Sequence, residues 1–295
     1  MYESLQQMQE ICETENKAFW ELVMEEEANE KQNSHEEVFE MMRSMYRAMV
    51  QADENYEDRR SASQMTGGAG ELMAKWNRDE KTLSGPFLGQ VMERALKMAE
   101  SNACMKRIVA APTAGSCGVI PAVLISMEEE FGYSEDEITK GLITAAGIGG
   151  VIAQRAFLAG AAGGCQAEIG SASAMAAGAA VCLKGGDGSQ IIQAAAIALE
   201  NLLGLACDPV GGLVEVPCVK RNTIGAVGAL TAADMALAGV YSKIVPDEVI
   251  DAMRSIGIAM PSCIKETGSG GLAATPCARN MMSKLEKEQA DTENC

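Results

Sequence analysis

Apolar residues recur every three or four positions along most of this chain, and β-branched and aromatic residues nowhere alternate over a long run. The first pattern puts apolar side chains on one face of a helix, whereas alternation would have indicated strands. The sequence therefore predicts a mainly α fold, a helical domain whose functional residues lie on the loops between helices.

Capping residues predict where several of these helices begin. Ser34 with Glu37, and Ser134 with Glu137, have the spacing of a capping box, in which the two side chains satisfy free backbone N–H groups. We predict four further helices, over residues 4–27, from Pro86 to about residue 100, from a cap at Ser189 to residue 203, and from Pro246 to residue 256. A proline fits the first helical turn, where its missing N–H needs no partner.

Small residues mark the centre of the predicted fold. Helices between residues 141 and 240 are rich in Ala and Gly, so they can pack closely and we place them in the core. Residues 169–183 form an uncharged stretch of 15 residues, which falls short of the roughly 20 residues that span a bilayer. We interpret this stretch as a buried helix and expect no membrane partner.

We divide the chain into three parts. Residues 1–65 form an acidic helical segment on the outside, with sixteen acidic against six basic residues up to position 60. Residues 66–283 form the main helical domain, and residues 284–295 form a polar C-terminal tail. The polar stretch over residues 53–70 ends in a glycine-rich run and is predicted to be a linker or an active-site loop.

Charge and cysteine content exclude some functions. The formal net charge is −17 and no basic run is present, so nucleic acid is not an expected partner. The N-terminus lacks the basic stretch and apolar core of a signal peptide, and we expect a cytoplasmic protein. Its ten cysteines are then predicted to stay reduced and to serve metal binding or burial rather than disulfides.

Four segments between the helices use Gly, Pro, Cys and polar residues in ways that packing does not require. They cover residues 112–118, 163–168, 207–222 and 265–272. Loops on a rigid scaffold commonly carry binding and catalytic residues. We therefore expect the functional site on these loops.

Three cysteines in these segments are candidate metal ligands. Cys165, Cys207 and Cys218 each adjoin a Gly or Pro turn, which can aim a sulfur away from a packing face. Their separations of 42 and 11 residues match neither zinc pairs nor compact ferredoxin runs, so from spacing alone buried free cysteines remain an alternative. Three thiolates would leave one iron of a four-iron cluster open as a Lewis acid for a substrate hydroxyl.

Long phrases in the same segments resemble a known family. PTAGSCGVIPA, GAAGGCQAEIGSAS, LACDPVGGLVEVPCVKRN and KETGSGGLAATP are similar to phrases of the α subunit of two-subunit bacterial iron–sulfur L-serine dehydratases, from about Thr66 to Arg279. The resemblance implies a 4Fe-4S cluster held by Cys165, Cys207 and Cys218. It also implies L-serine as substrate, pyruvate and ammonia as products, and a β-subunit partner in a hetero-oligomer.

Further predictions concern substrate binding and proton transfer. The turn of Thr113 and Ser116 suits a substrate carboxylate, although a tight turn between helices is an alternative. Arg221 could bind the substrate carboxylate through two parallel hydrogen bonds, or it could form an ion pair with a structural acid. The other predicted substrate-binding residues are Asn222, Gly67 and Gly68, and the candidate catalytic residues are Glu168, Lys220 and Lys265.

The base that removes the α-proton stays open among a lysine, a carboxylate, an alkoxide and a group of the partner. His35, the only histidine, lies on an acidic N-terminal helix and is predicted to face solvent. Cys295 at the chain end is predicted to be a fourth cluster ligand, with a disordered end as the alternative. The cysteines predicted to lie in the core are Cys12, Cys104, Cys182 and Cys263.

Three other functions stay open at this point. An L-cysteine desulfidase could use the same open iron to expel sulfide. A pyridoxal-phosphate dehydratase would need a Schiff-base lysine, with the glycines of residues 160–164 around the phosphate. A non-catalytic iron–sulfur electron carrier would bury all four irons, and a redox sensor would be expected to carry an output module such as a basic nucleic-acid-binding face.

Overall fold

The computed structural model describes the backbone of residues 2–293 and the side chains of residues 2–287. Its helices are α1 (Leu5–Glu15), α2 (Phe19–Lys31), α3 (His35–Glu54), α4 (Ala69–Arg78), α5 (Gly85–Ala103), α6 (Val119–Phe131), α7 (Glu135–Arg155), α8 (Gly160–Gly163), α9 (Ser171–Leu183), α10 (Gly188–Glu200), α11 (Cys218–Leu237), α12 (Pro246–Ala259) and α13 (Pro276–Glu293). Within the described backbone no strand forms, and one isolated β-bridge joins Cys207 to Lys265. The predicted mainly α fold is confirmed.

Helix α9 lies at the centre of the fold, and every residue from Ser171 to Val181 is buried. It packs against α6, α7, α10 and α11. Small side chains permit this packing, since a Cβ atom on Gly178 would stand 2.1 Å from Cδ1 of Ile148. The predictions of a buried uncharged helix and of a core rich in small residues are therefore confirmed.

Helices α1, α2 and α3 pack on the outside of this core. Helices α2 and α3 contact α7, and α1 contacts α10 and α12. The prediction of one helix over residues 4–27 is wrong, because Asn16 has a φ of 51° and ends α1, and α2 begins only at Phe19. Asparagine adopts this left-handed conformation more readily than most residues, so it can end a helix where glycine is absent.

Both predicted capping boxes are present. The Oγ atom of Ser34 accepts a hydrogen bond from the Glu37 N–H at 3.2 Å, and Ser134 does the same for Glu137 at 3.4 Å. The predicted helix starts at prolines are also confirmed, because Pro86 and Pro246 lie in the first turns of α5 and α12. These boundaries follow from interactions within four residues, which a sequence pattern can report.

The cap predicted at Ser189 is wrong. Asp187 caps α10 instead, with its Oδ1 atom 2.8 Å from the Gln190 N–H, and the Gln190 side chain accepts from the Asp187 N–H at 3.0 Å. Aspartate caps a helix as well as serine does, and this reciprocal pair favours the earlier start. The helix ends at Glu200 rather than at residue 203.

The remaining fold predictions have mixed outcomes. Cys12 and Cys104 are buried and Cys182 is half-buried, whereas Cys263 is exposed in the turn after α12, so its placement in the core is wrong. His35 is exposed at the start of α3, as predicted. No helix within residues 2–293 combines the length and the apolarity needed to cross a bilayer. The division into three parts stays a prediction.

We expect Gly118→Ala to lower the free energy of unfolding by about 1–3 kcal/mol, as overpacking does. A Cβ atom at this position would stand 2.5 Å from the main-chain oxygen of Ala95, which cannot rotate away. Gly228→Ala is the matched control, since its Cβ atom would meet nothing closer than the Ser173 Oγ atom at 3.6 Å. This control lies inside α11 and should raise the stability by about 0.5–1 kcal/mol. Urea unfolding measures both, and equal stabilities of the two variants would contradict the packing described here.

Candidate active site

Three cysteines from distant parts of the chain lie close together in the structure. Cys165 precedes a π-helical turn over Gln166–Gly170 that leads into α9, Cys207 lies in the loop after α10, and Cys218 is the first residue of α11. Their exposed fractions are 2%, 2% and 7%. A thiolate at Cys165 would raise the pKa of both Cys207 and Cys218, so the three sulfurs lie within electrostatic reach of one another.

Burial is the largest cause of the raised pKa values in this cysteine site. It raises the pKa of Cys165 to about 11 and that of Cys218 to about 12, and the pKa of Cys207 is raised further by nearby negative charges. With pKa values this high, the three buried thiols stay protonated at neutral pH unless a metal group binds them. A bound metal group would stabilise all three thiolates at once, so the donor set fits a metal-bound cofactor.

A single metal ion and an iron–sulfur cluster place different demands on their ligands. Among residues 2–287, no three His, Cys, Asp or Glu side chains are grouped as a single metal ion requires. An iron–sulfur cluster makes a different demand, because each thiolate binds its own iron and the ligand sulfurs stand further apart. A cluster held by Cys165, Cys207 and Cys218 stays a prediction.

Glu168 lies beside these cysteines and faces the turn over residues 112–118. The Thr113 hydroxyl donates to its Oε1 atom at 2.7 Å, and its Oε2 atom is 4.0 Å from the Cys207 sulfur. Burial raises the pKa of Glu168, the hydrogen bond from Thr113 lowers it, and the charge of Glu266 raises it, so the net shift is upward. Glu168 is thus a carboxylate with increased basicity next to the cysteine site.

A glycine keeps space around this carboxylate. A Cβ atom on Gly160, the first residue of α8, would stand 2.6 Å from the Glu168 Oε2 atom and 2.8 Å from the Cys207 sulfur. Any other residue at this position would fill the space between the acid and the thiol. Glycine here is therefore a requirement of the site rather than of the helix.

Ser116 and Asn222 hold the turn in place. The Ser116 hydroxyl is buried, and the carbonyl oxygens of Ala111 and Thr113 lie 3.3 Å from it. The Asn222 amide donates to the carbonyls of Gly115 at 2.8 Å and Cys218 at 3.0 Å, and it accepts from the Gly118 N–H at 2.8 Å. Both side chains have their hydrogen bonds within the protein, so the structure gives them a positioning role, and substrate contact stays a prediction.

Arg221 forms an ion pair with a structural acid, one of the two alternatives raised by the sequence. Its Nη2 atom is 2.8 Å from Asp208 Oδ1, and its Nη1 atom donates to the Ala206 carbonyl at 2.6 Å. Burial alone would lower the pKa of Arg221, but Cys165 and Asp208 raise it overall. The guanidinium therefore places a fixed positive charge beside the Cys165 sulfur.

Asp208 is a site residue that the sequence analysis missed. Its Oδ2 atom accepts from the Leu272 N–H at 2.8 Å, so one buried carboxylate connects Arg221 to the loop before α13. That loop approaches closely because Gly271 has a φ of 57°, and a Cβ atom there would stand 2.3 Å from Asp208. The available signal was an acid directly after a candidate ligand cysteine.

The remaining predicted site residues lie in other surroundings, and one of them meets a site cysteine only through the main chain. Lys265 meets Cys207 through the β-bridge, and Lys220 is exposed on the first turn of α11. Gly67 and Gly68 line a surface groove together with residues 58–60, and none of the three cysteines lines it. Cys295 lies outside the described residues. The predicted roles of these residues stay predictions.

Comparisons with known proteins point to one family. A family model described as "Serine dehydratase alpha chain" matches residues 14–273. A protein of Bacillus subtilis (strain 168) named "Probable L-serine dehydratase, alpha chain" is 44% identical over 97% of this chain and 95% of its own length. The "L-serine dehydratase, alpha chain" of Peptoniphilus asaccharolyticus is 39% identical over 98% of this chain and 99% of its own length.

A longer relative carries the same region within one polypeptide. The protein of Streptomyces coelicolor named "L-serine dehydratase", without a chain designation, is 47% identical over 181 residues. The match covers 61% of this chain but only 40% of that protein. More than half of the longer protein therefore has no counterpart in the aligned part of this chain.

Proposed function

The chain belongs to the serine dehydratase alpha chain family, and we propose on this premise that it deaminates L-serine to pyruvate and ammonia. The observation that carries the proposal is the convergence of Cys165, Cys207 and Cys218 next to the buried Glu168. The relatives that match this chain over nearly its full length are named for L-serine, which favours serine dehydration over desulfidation of cysteine.

Cys165, Cys207 and Cys218 would hold a 4Fe-4S cluster through their thiolates. When bound, the cluster would supply a Lewis-acidic iron without a ligand from these three cysteines, which can polarise the substrate hydroxyl. Arg221 supports the thiolate of Cys165 with its positive charge, and Asp208 holds the guanidinium in place. Asn222 fixes the start of α11 through its bond to the Cys218 carbonyl.

Glu168 is the base in this proposal. Its carboxylate takes the proton from the α-carbon of L-serine, the Cβ–O bond breaks, and the hydroxyl leaves as water after gaining a proton. The resulting aminoacrylate tautomerises to an imine, and water hydrolyses the imine to pyruvate and ammonia. The hydrogen bond from Thr113 fixes the orientation of the Glu168 carboxylate, so the proton acceptor is already in position when substrate binds.

The turn over residues 112–118 would bind the substrate carboxylate. Among the described residues, neither the Ala114 N–H nor the Gly115 N–H has a hydrogen-bond partner, and these two residues directly follow Thr113 in the chain. Successive free N–H groups of this kind form an anion-binding concavity. These free groups support a substrate-binding role for the backbone of the turn, with Arg221 acting at the cysteine site.

We also propose a β-subunit partner in a hetero-oligomer. The designation "alpha chain" in the relatives supports it, as does the longer relative, of which this chain matches less than half. The partner would complete the substrate cavity and could supply the proton that leaves with the hydroxyl. Within this chain the only histidine is the exposed His35 of α3, so no histidine contributes to the site described here.

The proposal is tested on chain purified without oxygen. We expect about four irons and four acid-labile sulfides per chain, as a 4Fe-4S cluster requires. Pyruvate formation from L-serine should rise when the β subunit is added, and L-cysteine serves as the competing substrate. A folded chain that binds no iron, or one that prefers L-cysteine, would refute the proposed function.

A further inference from the structure

A single buried carboxylate connects the polar loop between α3 and α4 to the segment that carries the cysteines. The Oε2 atom of Glu215 accepts hydrogen bonds from the Ser61 hydroxyl at 2.7 Å and from the Ser63 hydroxyl at 2.6 Å. The exposed fractions of Glu215 and Ser61 are 7% and 1%. The serines lie 154 and 152 residues away in sequence, so this contact exists only in the folded chain.

The loop holds its two serines in position before they reach the carboxylate. The Ser61 N–H donates to the Thr66 carbonyl at 3.0 Å, and the Met65 N–H donates to the Ser63 hydroxyl oxygen at 3.1 Å. The two serine oxygens are 3.1 Å apart. Both hydroxyls therefore point at one acceptor from a closed loop, and little conformational freedom is lost when the contact forms.

Hydroxyl groups are the partners that hold this carboxylate. Among the described residues no Lys or Arg side chain forms an ion pair with Glu215. A buried carboxylate depends strongly on its hydrogen bonds when no cation compensates its charge. The position of the Glu215 carboxylate is thus determined by Ser61 and Ser63.

The main chain transmits that position to a proposed cluster ligand. Glu215 stands three residues before Cys218, and its carbonyl oxygen accepts from the Val219 N–H at 2.9 Å in the first turn of α11. Its own N–H donates to the Leu213 carbonyl at 2.7 Å. Displacement of Glu215 would therefore move the start of α11, and the Cys218 sulfur with it.

We propose that Glu215 is a positioning residue that fixes Cys218, and that Ser61 and Ser63 are the anchors through which it does so. The inference deepens the proposed function, because it matters for catalysis only where Cys218 is a cluster ligand. It assigns the loop of Ser61 and Ser63 a role in cofactor retention. Outer residues that orient metal ligands commonly change metal affinity by about 10- to 100-fold when they are replaced.

The first test uses the iron-free full-length chain and iodoacetamide, with alkylation at each cysteine followed by mass spectrometry. We expect Glu215→Ala to accelerate alkylation of Cys218 about tenfold or more. In this variant, the local opening that exposes Cys218 to the reagent no longer has to break two hydrogen bonds to a carboxylate. Alkylation of Cys165 should keep its wild-type rate. Glu215→Gln should also keep the wild-type rate at Cys218, since an amide oxygen accepts the same two hydroxyls.

A double variant, Ser61→Ala with Ser63→Ala, leaves Glu215 intact and serves where Glu215→Ala does not fold. It should reproduce the faster labelling of Cys218, and combining it with Glu215→Ala should add nothing further. Unchanged labelling in the double variant, a glutamine variant that behaves like alanine, or additive effects would each overturn the inference.

The second test follows iron release to a chelator from the cluster-loaded protein. We expect release to be about 10- to 100-fold faster in the double serine variant than in the wild type. Equal release rates would overturn a role in cofactor retention. If the wild-type chain proves to lack serine dehydratase activity, the proposed function fails, whereas the alkylation result still decides whether Glu215 positions Cys218.

Discussion

Replacing Cys207 with serine is expected to remove the cluster from the chain and to lower pyruvate formation from L-serine at least about 1000-fold. Loss of a Lewis acid removes several kcal/mol of stabilisation, and each 1.4 kcal/mol or so is a factor of ten in rate. Among the three cysteines, Cys207 gives the clearest test, because its sulfur lies 4.0 Å from the carboxylate of Glu168. Iron content, the visible absorption of the cluster and the rate of pyruvate formation measure the result.

The matched control is Cys277→Ser on α13, where the native cysteine is exposed. This variant should keep its iron and its activity, because the side chain faces solvent. Circular dichroism on both variants separates loss of the cluster from loss of the fold. A Cys207→Ser protein that retains iron and activity would show that this cysteine only fills the core.

Glu168→Gln is expected to lower kcat roughly 100- to 10,000-fold while the cluster stays bound, as the loss of a general base does. The glutamine side chain has the same shape and can still accept the hydrogen bond from Thr113, which is 2.7 Å in the native protein. Only the ability to take a proton is removed. Steady-state kinetics with L-serine and the absorption spectrum of the cluster, recorded on the same preparation, test this result.

Glu248→Gln supplies the comparison, because Glu248 is exposed on α12. It should leave kcat and KM at wild-type values. If Glu168→Gln raises KM alone, the carboxylate binds substrate and the base lies elsewhere, with the partner subunit as the next place to search. A kcat close to that of the wild type would exclude Glu168 as the base.

The helices that could be predicted from sequence are those decided by local interactions. The boxes at Ser34 and Ser134 join residues three positions apart, so the pattern contains all the information needed. The break at Asn16 and the cap at Asp187 depend on a choice between competing local conformations, and the apolar period does not distinguish them. The predicted helix boundaries were therefore wrong where neighbouring residues could end or cap the helix equally well.

The site shows a similar limit. The three cysteines and Glu168 stand out in glycine-rich phrases, but the partners of Asn222 and Glu215 lie 107 and 154 residues away. Only the tertiary structure brings such pairs together. The face of α11 that points inward also had to be observed in the structure, since Lys220 is exposed and Asn222, two residues later, is buried. The sequence Lys220-Arg221-Asn222 alone does not indicate which of the three side chains faces inward.

The complete burial of α9 has a consequence for the maturation of the protein. A helix that is apolar on all sides is not stable when exposed to water. Helix α9 therefore adopts its position only when α7, α10 and α11 are present to cover it. Cys165 precedes this helix and Cys218 begins α11, 53 residues later in the chain. Under the proposed function, a cluster on these cysteines is therefore assembled only after α11 has been synthesised and packed, and we expect its acceptor to be a folded chain rather than a nascent one.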